Sequence, residues 1–227
     1  MEIVEYGHFG PAILLLPTAA ADYLEYERFL LIDSIAQYID SGKVKVYSIN
    51  SINNESWLNN KLDGRSKVVR HNQFNHYVYN EVVPFIKGRT SKDTPIITCG
   101  ASFGALHAAN LFFKNPWAIR GCIAMSGLYD LGQYTKSYWD EDCYWNSPLH
   151  YLKDLQDENH LNTIRSSQHI HILTGSGDYE DPSGSRYISG LLNHRNIPHD
   201  LDIWGYDIKH DWPTWRAMMP YLLETKF

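Results

Sequence analysis

The run Gly100-Ala101-Ser102-Phe103-Gly104 sets a hydroxyl among small residues. It follows the apolar stretch Ile96-Ile97-Thr98-Cys99 and precedes Phe103 to Lys114, a segment with helical spacing. A serine in a sharp turn from strand to helix is lifted clear of the sheet, where it can attack a carbonyl carbon. Neighbouring backbone crowds such a turn, so the residues two before and two after the serine must be small. The helix that starts there favours negative charge developing beside it. Five-residue patterns with three fixed small residues also arise by chance, and then Ser102 marks only a strand-to-helix turn.

A serine needs a base and an acid, and in a strand–turn–helix context the chain order is serine, acid, histidine. The acid is expected after a late strand and the histidine in a loop before the last helix. After His169-Ile-His-Ile-Leu-Thr174 comes Gly175-Ser-Gly-Asp178-Tyr-Glu180-Asp181-Pro182. Asp178 is the first carboxylate beyond the strand and is the expected partner that holds the imidazole tautomer. Glu180 and Asp181 compete with it. After Trp204 comes Gly205-Tyr-Asp-Ile-Lys-His210, just before a helix that opens Trp-Pro. His210 is the expected base, taking the proton from Ser102 and returning it to the leaving group.

An oxyanion site needs two backbone N–H groups. Phe103, directly after the serine, is one expected donor. The other is expected from Thr18 or Ala19, in the small-residue turn Pro17-Thr-Ala-Ala-Ala21. His169 and His171 share one strand face at a metal-like spacing, but no third ligand is evident. No metal and no cofactor are expected.

These residues need a scaffold. Pro11 to Pro17, Val44 to Ile49, Pro95 to Cys99, Arg120 to Met125, His169 to Thr174 and His199 to Trp204 read as strands. Glu25 to Tyr38, Asn75 to Ile86, Phe103 to Lys114, Gly184 to His194 and Trp212 to about Glu224 read as helices. Strands alternating with helices predict a doubly wound, mostly parallel α/β sheet with helices on both faces. Ligands of such sheets sit at the carboxyl ends of the strands. Residues 126 to 157 read as irregular and strongly aromatic, a cap-like insertion around 129–157 in a single domain spanning 1–227.

The chain has 227 residues, a formal net charge of −6 and no basic run, which argues against a nucleic-acid partner. The acidic balance also disfavours anionic membranes. Cys99, Cys122 and Cys143 form neither a disulfide framework nor a metal pair. The start, MEIVEYGHFG, with only five apolar residues at 12–16, has neither signal-peptide nor membrane-span character. A cytoplasmic location is expected.

Four segments together resemble the putative-esterase, or esterase D-like, family of α/β-hydrolases, which also includes the mycolyltransferases. They are LLLPTAAADYLEYE, CGASFGALHAAN, TGSGDYEDP and KHDWPTWRAMMPYLL. The last, with its His-Asp-Trp, two residues, Trp arrangement, is the more specific. The resemblance implies the α/β-hydrolase fold and a cofactor-free hydrolase of esters or thioesters. The chain departs from members that carry His-Gly before the oxyanion turn, since it reads Pro17-Thr18 there.

The expected function is a serine carboxylesterase acting through an acyl-enzyme on Ser102. An acyltransferase would use the same residues, and a binding protein could keep the fold without chemistry. Trp57, Tyr129, Trp145 and Trp212 are expected to line a narrow aromatic cleft for small acyl or aryl esters. The same aromatic stretch could instead mediate self-association into a homo-oligomer.

Overall fold

The computed structural model describes all 227 residues. Seven strands form one sheet: β1 (Ile3–Tyr6), β2 (Ala12–Leu16), β3 (Lys45–Ile49), β4 (Ile96–Ala101), β5 (Gly121–Met125), β6 (His169–Thr174) and β7 (Asp200–Ile203). Their spatial order is β1-β3-β2-β4-β5-β6-β7. Only β1 runs antiparallel, pairing Ile3 with Ile49 at the edge. Every other neighbour pair is parallel, in the doubly wound arrangement the alternation predicts.

Strand alternation divides the core into two layers. Ile13, Leu15, Val46, Ile97, Cys99, Ala101, Ile123 and Met125 point to one face. There they meet α1 (Glu25–Arg28), α2 (Leu31–Ser34), α3 (Ala36–Asp40) and α11 (Trp212–Thr225). Leu14, Leu16, Tyr47, Ile96, Cys122 and Ala124 point to the other. That face is covered by α4 (Gly64–Tyr77), α5 (Val83–Arg89), α6 (Phe103–Lys114), α8 (Pro148–Asp154), α9 (Glu158–Arg165) and α10 (Pro182–His194). Burial on both faces explains why β2 and β5 read as unbroken apolar runs rather than alternating ones.

The structure adds β1 and α9, which the sequence expectation lacks, and three regions differ from it. The helix predicted over Glu25 to Tyr38 is three short helices, broken where Leu30 takes a left-handed φ of 60°. With the chain turned there, Phe29 stacks on Trp212 and its carbonyl accepts from Arg216. The helix predicted from Asn75 starts instead at Gly64, capped by Asp63, and reaches α5 through a wide π-type turn at Val78–Val82. Its buried positions, 64, 67, 68, 71, 74 and 75, have helical spacing, but Lys67, His71 and Asn75 occupy three of them. Polar residues at core positions hide a helix from an apolar-periodicity reading. Residues 126 to 157 hold α7 (Glu141–Tyr144) and α8, with loops between them. No helix is long and apolar enough to cross a membrane.

Candidate active site

Ser102 follows the carboxyl end of β4, and Glu180 and His210 lie in the loops after β6 and β7. Ser102 takes φ 55°, ψ −119°, a conformation of the kind that sharp nucleophile turns store. A Cβ on Gly100 would fall 2.3 Å from the Gly104 carbonyl, and one on Gly104 would fall 2.2 Å from the Leu16 carbonyl oxygen. The two glycines therefore let strand, helix and the loop after β2 close on one another. Gly104→Ala is expected to destabilise the fold by about 1–3 kcal/mol, read from denaturant midpoints, because backbone and not a flexible side chain must move. Tyr26 braces the turn from beneath, donating its hydroxyl to Leu16 O at 2.8 Å and accepting the Ala101 N–H at 3.2 Å.

The loops after β6 and β7 are zipped by backbone bonds. Gly177 N–H donates to Ile208 O at 2.8 Å, and His210 N–H donates to Asp178 O at 3.0 Å. Between them Tyr179 adopts a left-handed φ of 64° and reverses the side-chain directions. Asp178 points outward and pairs with Lys209 at 2.7 Å, both side chains more than half exposed. Glu180 points inward, and its Oε2 lies 3.2 Å from His210 Nδ1. The carboxylate that faces His210 is therefore Glu180, not the expected Asp178. Asp181 is occupied elsewhere, capping α10 through the Ser183 N–H.

The Glu180 side chain is 1% exposed, and each of its oxygens has partners. Ser126 Oγ donates to Oε1 at 2.5 Å and Gly175 N–H at 3.2 Å, while Thr174 Oγ1 donates to Oε2 at 3.3 Å. Ser126 in turn accepts the Trp215 indole N–H at 3.0 Å, and the Trp215 ring meets His210 edge-on. Burial alone would raise the Glu180 carboxyl. The bonds from His210, Ser126 and Gly175 outweigh it and hold the group below the usual glutamate range. A carboxylate only accepts, so the His210 proton resides on Nδ1 and leaves Nε2 free as a base.

Ser102, Ser126, Tyr129, Glu180 and His210 line one cleft of about 330 Å³. A groove of about 600 Å³ adjoins it, sharing Asp130, Leu149, Ser183 and Gly184 and continuing to Lys153 and Tyr187. The expected aromatic lining is mostly elsewhere. Trp57 is buried against His71, Trp145 packs on Tyr144 and Tyr151, and Trp212 sits between Phe29, Tyr26 and Trp215. Of the four expected rings only Tyr129 reaches the cleft. Trp57 fills the core and Trp212 packs between helices, and serines, carboxylates and His210 line the cleft alongside apolar surface.

The expected oxyanion donors also separate. Phe103 is the first residue of α6, so its N–H has no acceptor within the helix. Thr18 is not free: its N–H donates to Glu25 Oε2 at 2.8 Å and its hydroxyl to Oε1 at 2.6 Å. The Ala19 N–H, on an exposed residue, donates to no group of the chain. His169 and His171 lie toward the opposite end of β6, where His171 Nδ1 is 2.8 Å from Asp200.

The sequence pattern of the putative esterase family matches residues 50–224, well over half the chain. The chain belongs to the putative esterase family. It is accordingly a carboxylesterase-type hydrolase, an enzyme of ester bonds. Curated proteins offer no match. Among solved structures, a ferulic acid esterase superposes with TM-score 0.72 at 17% identity, covering 95% of this chain and 84% of that one. MPT51 (FbpC1) of Mycobacterium tuberculosis gives 0.70 at 12% identity, over 98% and 90%. The S-formylglutathione hydrolase FrmB of Staphylococcus aureus gives 0.62 at 17%, over 96% and 81%. At these identities the likeness speaks for the architecture, which is the α/β-hydrolase fold.

Proposed function

We propose that the protein hydrolyses carboxylic esters or thioesters through an acyl-enzyme on Ser102, with His210 as base and Glu180 as the acid that orients it. The observation that carries this reading is the wired carboxylate. Glu180 is buried, ionised and bonded to His210 Nδ1, in the loop adjoining a cleft that Ser102 also lines. A buried charge is costly unless it is fully partnered. Here the partnering supports reading His210 as a base for the strained serine.

His210 Nε2 takes the Ser102 proton as Oγ attacks the carbonyl carbon. The tetrahedral oxyanion is met by the N–H groups of Phe103 and Ala19. His210 then returns the proton to the leaving alcohol or thiol, which departs. Water, deprotonated by the same nitrogen, releases the acid and restores Ser102. The adjoining groove gives the larger half of an ester room to lie along α8 and α10 without entering the cleft.

A fluorophosphonate probe tests the reading directly. Labelling of the native protein is expected on one peptide, containing Ser102, and hydrolysis of p-nitrophenyl acetate is expected to stop in proportion to labelling. A native, folded protein that takes no label would end the serine-hydrolase reading.

A further inference from the structure

His107 is buried on α6 one turn after Phe103, and no step above uses it. Its Nε2 lies 2.9 Å from Asn53 Oδ1. The Asn53 side-chain nitrogen donates to the Ala19 carbonyl. These two bonds fix each other's polarity. A backbone carbonyl only accepts, so the amide nitrogen of Asn53 must face Ala19 and its oxygen must face His107. That oxygen also only accepts, so His107 carries its proton on Nε2. Its Nδ1 is left buried without a partner. Burial pushes the ring's pKa down to about 3, so it stays neutral at working pH.

The Asn53 turn grips the whole loop after β2. Ser51 Oγ donates to Ala19 O at 3.3 Å, Ser51 N–H donates to Ala21 O at 3.2 Å, and Tyr23 N–H donates to Asn50 Oδ1 at 3.0 Å. Glu25 secures Thr18 on the other side of Ala19. The Ala19 carbonyl is thus tied while its own N–H is left free. His107 connects this tied loop to the nucleophile helix, and its ring lies 5.3 Å from that of Phe103.

We propose that Asn53 and His107 are positioning residues that set the Ala19 loop against the start of α6, and with it the spacing of the two oxyanion donors. The proposal rests on the reading of Phe103 and Ala19 as those donors. An oxyanion site gains its effect from donors fixed before charge develops. A loop that drifts therefore loses rate without losing substrate.

The test uses the full chain. His107→Leu is expected to lower kcat for p-nitrophenyl acetate by about tenfold or more, below the loss of a whole donor, with KM within about threefold. The rate of fluorophosphonate labelling should fall by a similar factor. His107→Gln, whose amide can donate to the same oxygen, should recover most of the loss. Asn53→Asp keeps the acceptor for His107 but turns an oxygen toward Ala19 O, so it should lose as much as His107→Leu. Folded His107→Leu and Asn53→Asp proteins with native kcat would overturn the proposal. Should those variants not fold, nitrogen-15 NMR of the native protein decides. The Nε2–H tautomer of His107 supports the pair, and an Nδ1–H tautomer removes it. Should the native protein neither label nor hydrolyse, the esterase reading fails separately. The Ala19 amide resonance, moving in His107→Leu and returning in His107→Gln, then supports the tie, and a resonance indifferent to both removes it.

Discussion

Ser102→Ala is expected to lower kcat for an activated ester by about 10⁶-fold, and Ser102→Ala combined with His210→Ala by no more than that. The reason is that His210 has no task without the Ser102 hydroxyl. In the proposed mechanism Nε2 moves that proton, and Glu180 keeps Nε2 unprotonated. Once one member is gone the others stabilise nothing in the transition state, so their losses do not multiply. In that mechanism the residual rate comes from the proposed Phe103 and Ala19 donors and from binding in the cleft, a factor of about 10³–10⁴ over water. Steady-state kinetics on the two single variants and the double variant measure this. Multiplying losses would mean that Ser102 and His210 act in separate steps and do not form one unit.

The residues that were legible in the sequence are those whose neighbours impose a local pattern. Ser102 is flanked by small residues because the Leu16 carbonyl and the Gly104 backbone approach within 2.3 Å of where side chains would sit. Such crowding can be read from residue types alone. His210 is marked by its place before a Pro-containing helix start. β2 and β5 are visible because burial on both faces leaves apolar residues throughout, whereas β7, with Asp200 and Asp202 in a half-buried strand, is visible by alternation. The acid was not legible to the same degree. Asp178, Glu180 and Asp181 lie within three positions of one another, and their directions depend on the left-handed turn at Tyr179, which no residue type there announces. Asp181 before Pro182 could have been set aside as a helix cap. Thr18 failed as a donor because of Glu25, seven residues on, and Asn53 and His107 meet across 54 residues. Trp57 and Trp212 were drawn to the cleft by type, whereas packing uses their bulk in the protein interior and between helices. Long-range pairs of this kind leave no trace in spacing.

Glu180→Gln is expected to lower kcat by about 10⁴-fold, while Asp178→Asn leaves it within about twofold. The size of the first effect follows from which end of the new amide faces His210. Ser126 Oγ and the Gly175 N–H both donate to the Oε1 position, so the amide oxygen of glutamine belongs there. Its NH₂ then occupies the Oε2 position and points its hydrogens at His210 Nδ1. The ring must accept them, which moves its own proton to Nε2 and removes the base. Asp178→Asn only loosens an exposed, solvent-screened pair with Lys209. Stability carries a second signature. The folded protein holds the Glu180 carboxyl below its usual range, so the carboxylate's contribution is complete above the unfolded value of about 4.3 and is lost as pH falls through the folded value. The gap in melting temperature between the native protein and Glu180→Gln should therefore be widest near neutrality and close on acidification. An Asp178→Asn protein that lost activity while Glu180→Gln kept it would assign the acid to Asp178. The loop would then have to turn over about Tyr179 when substrate binds.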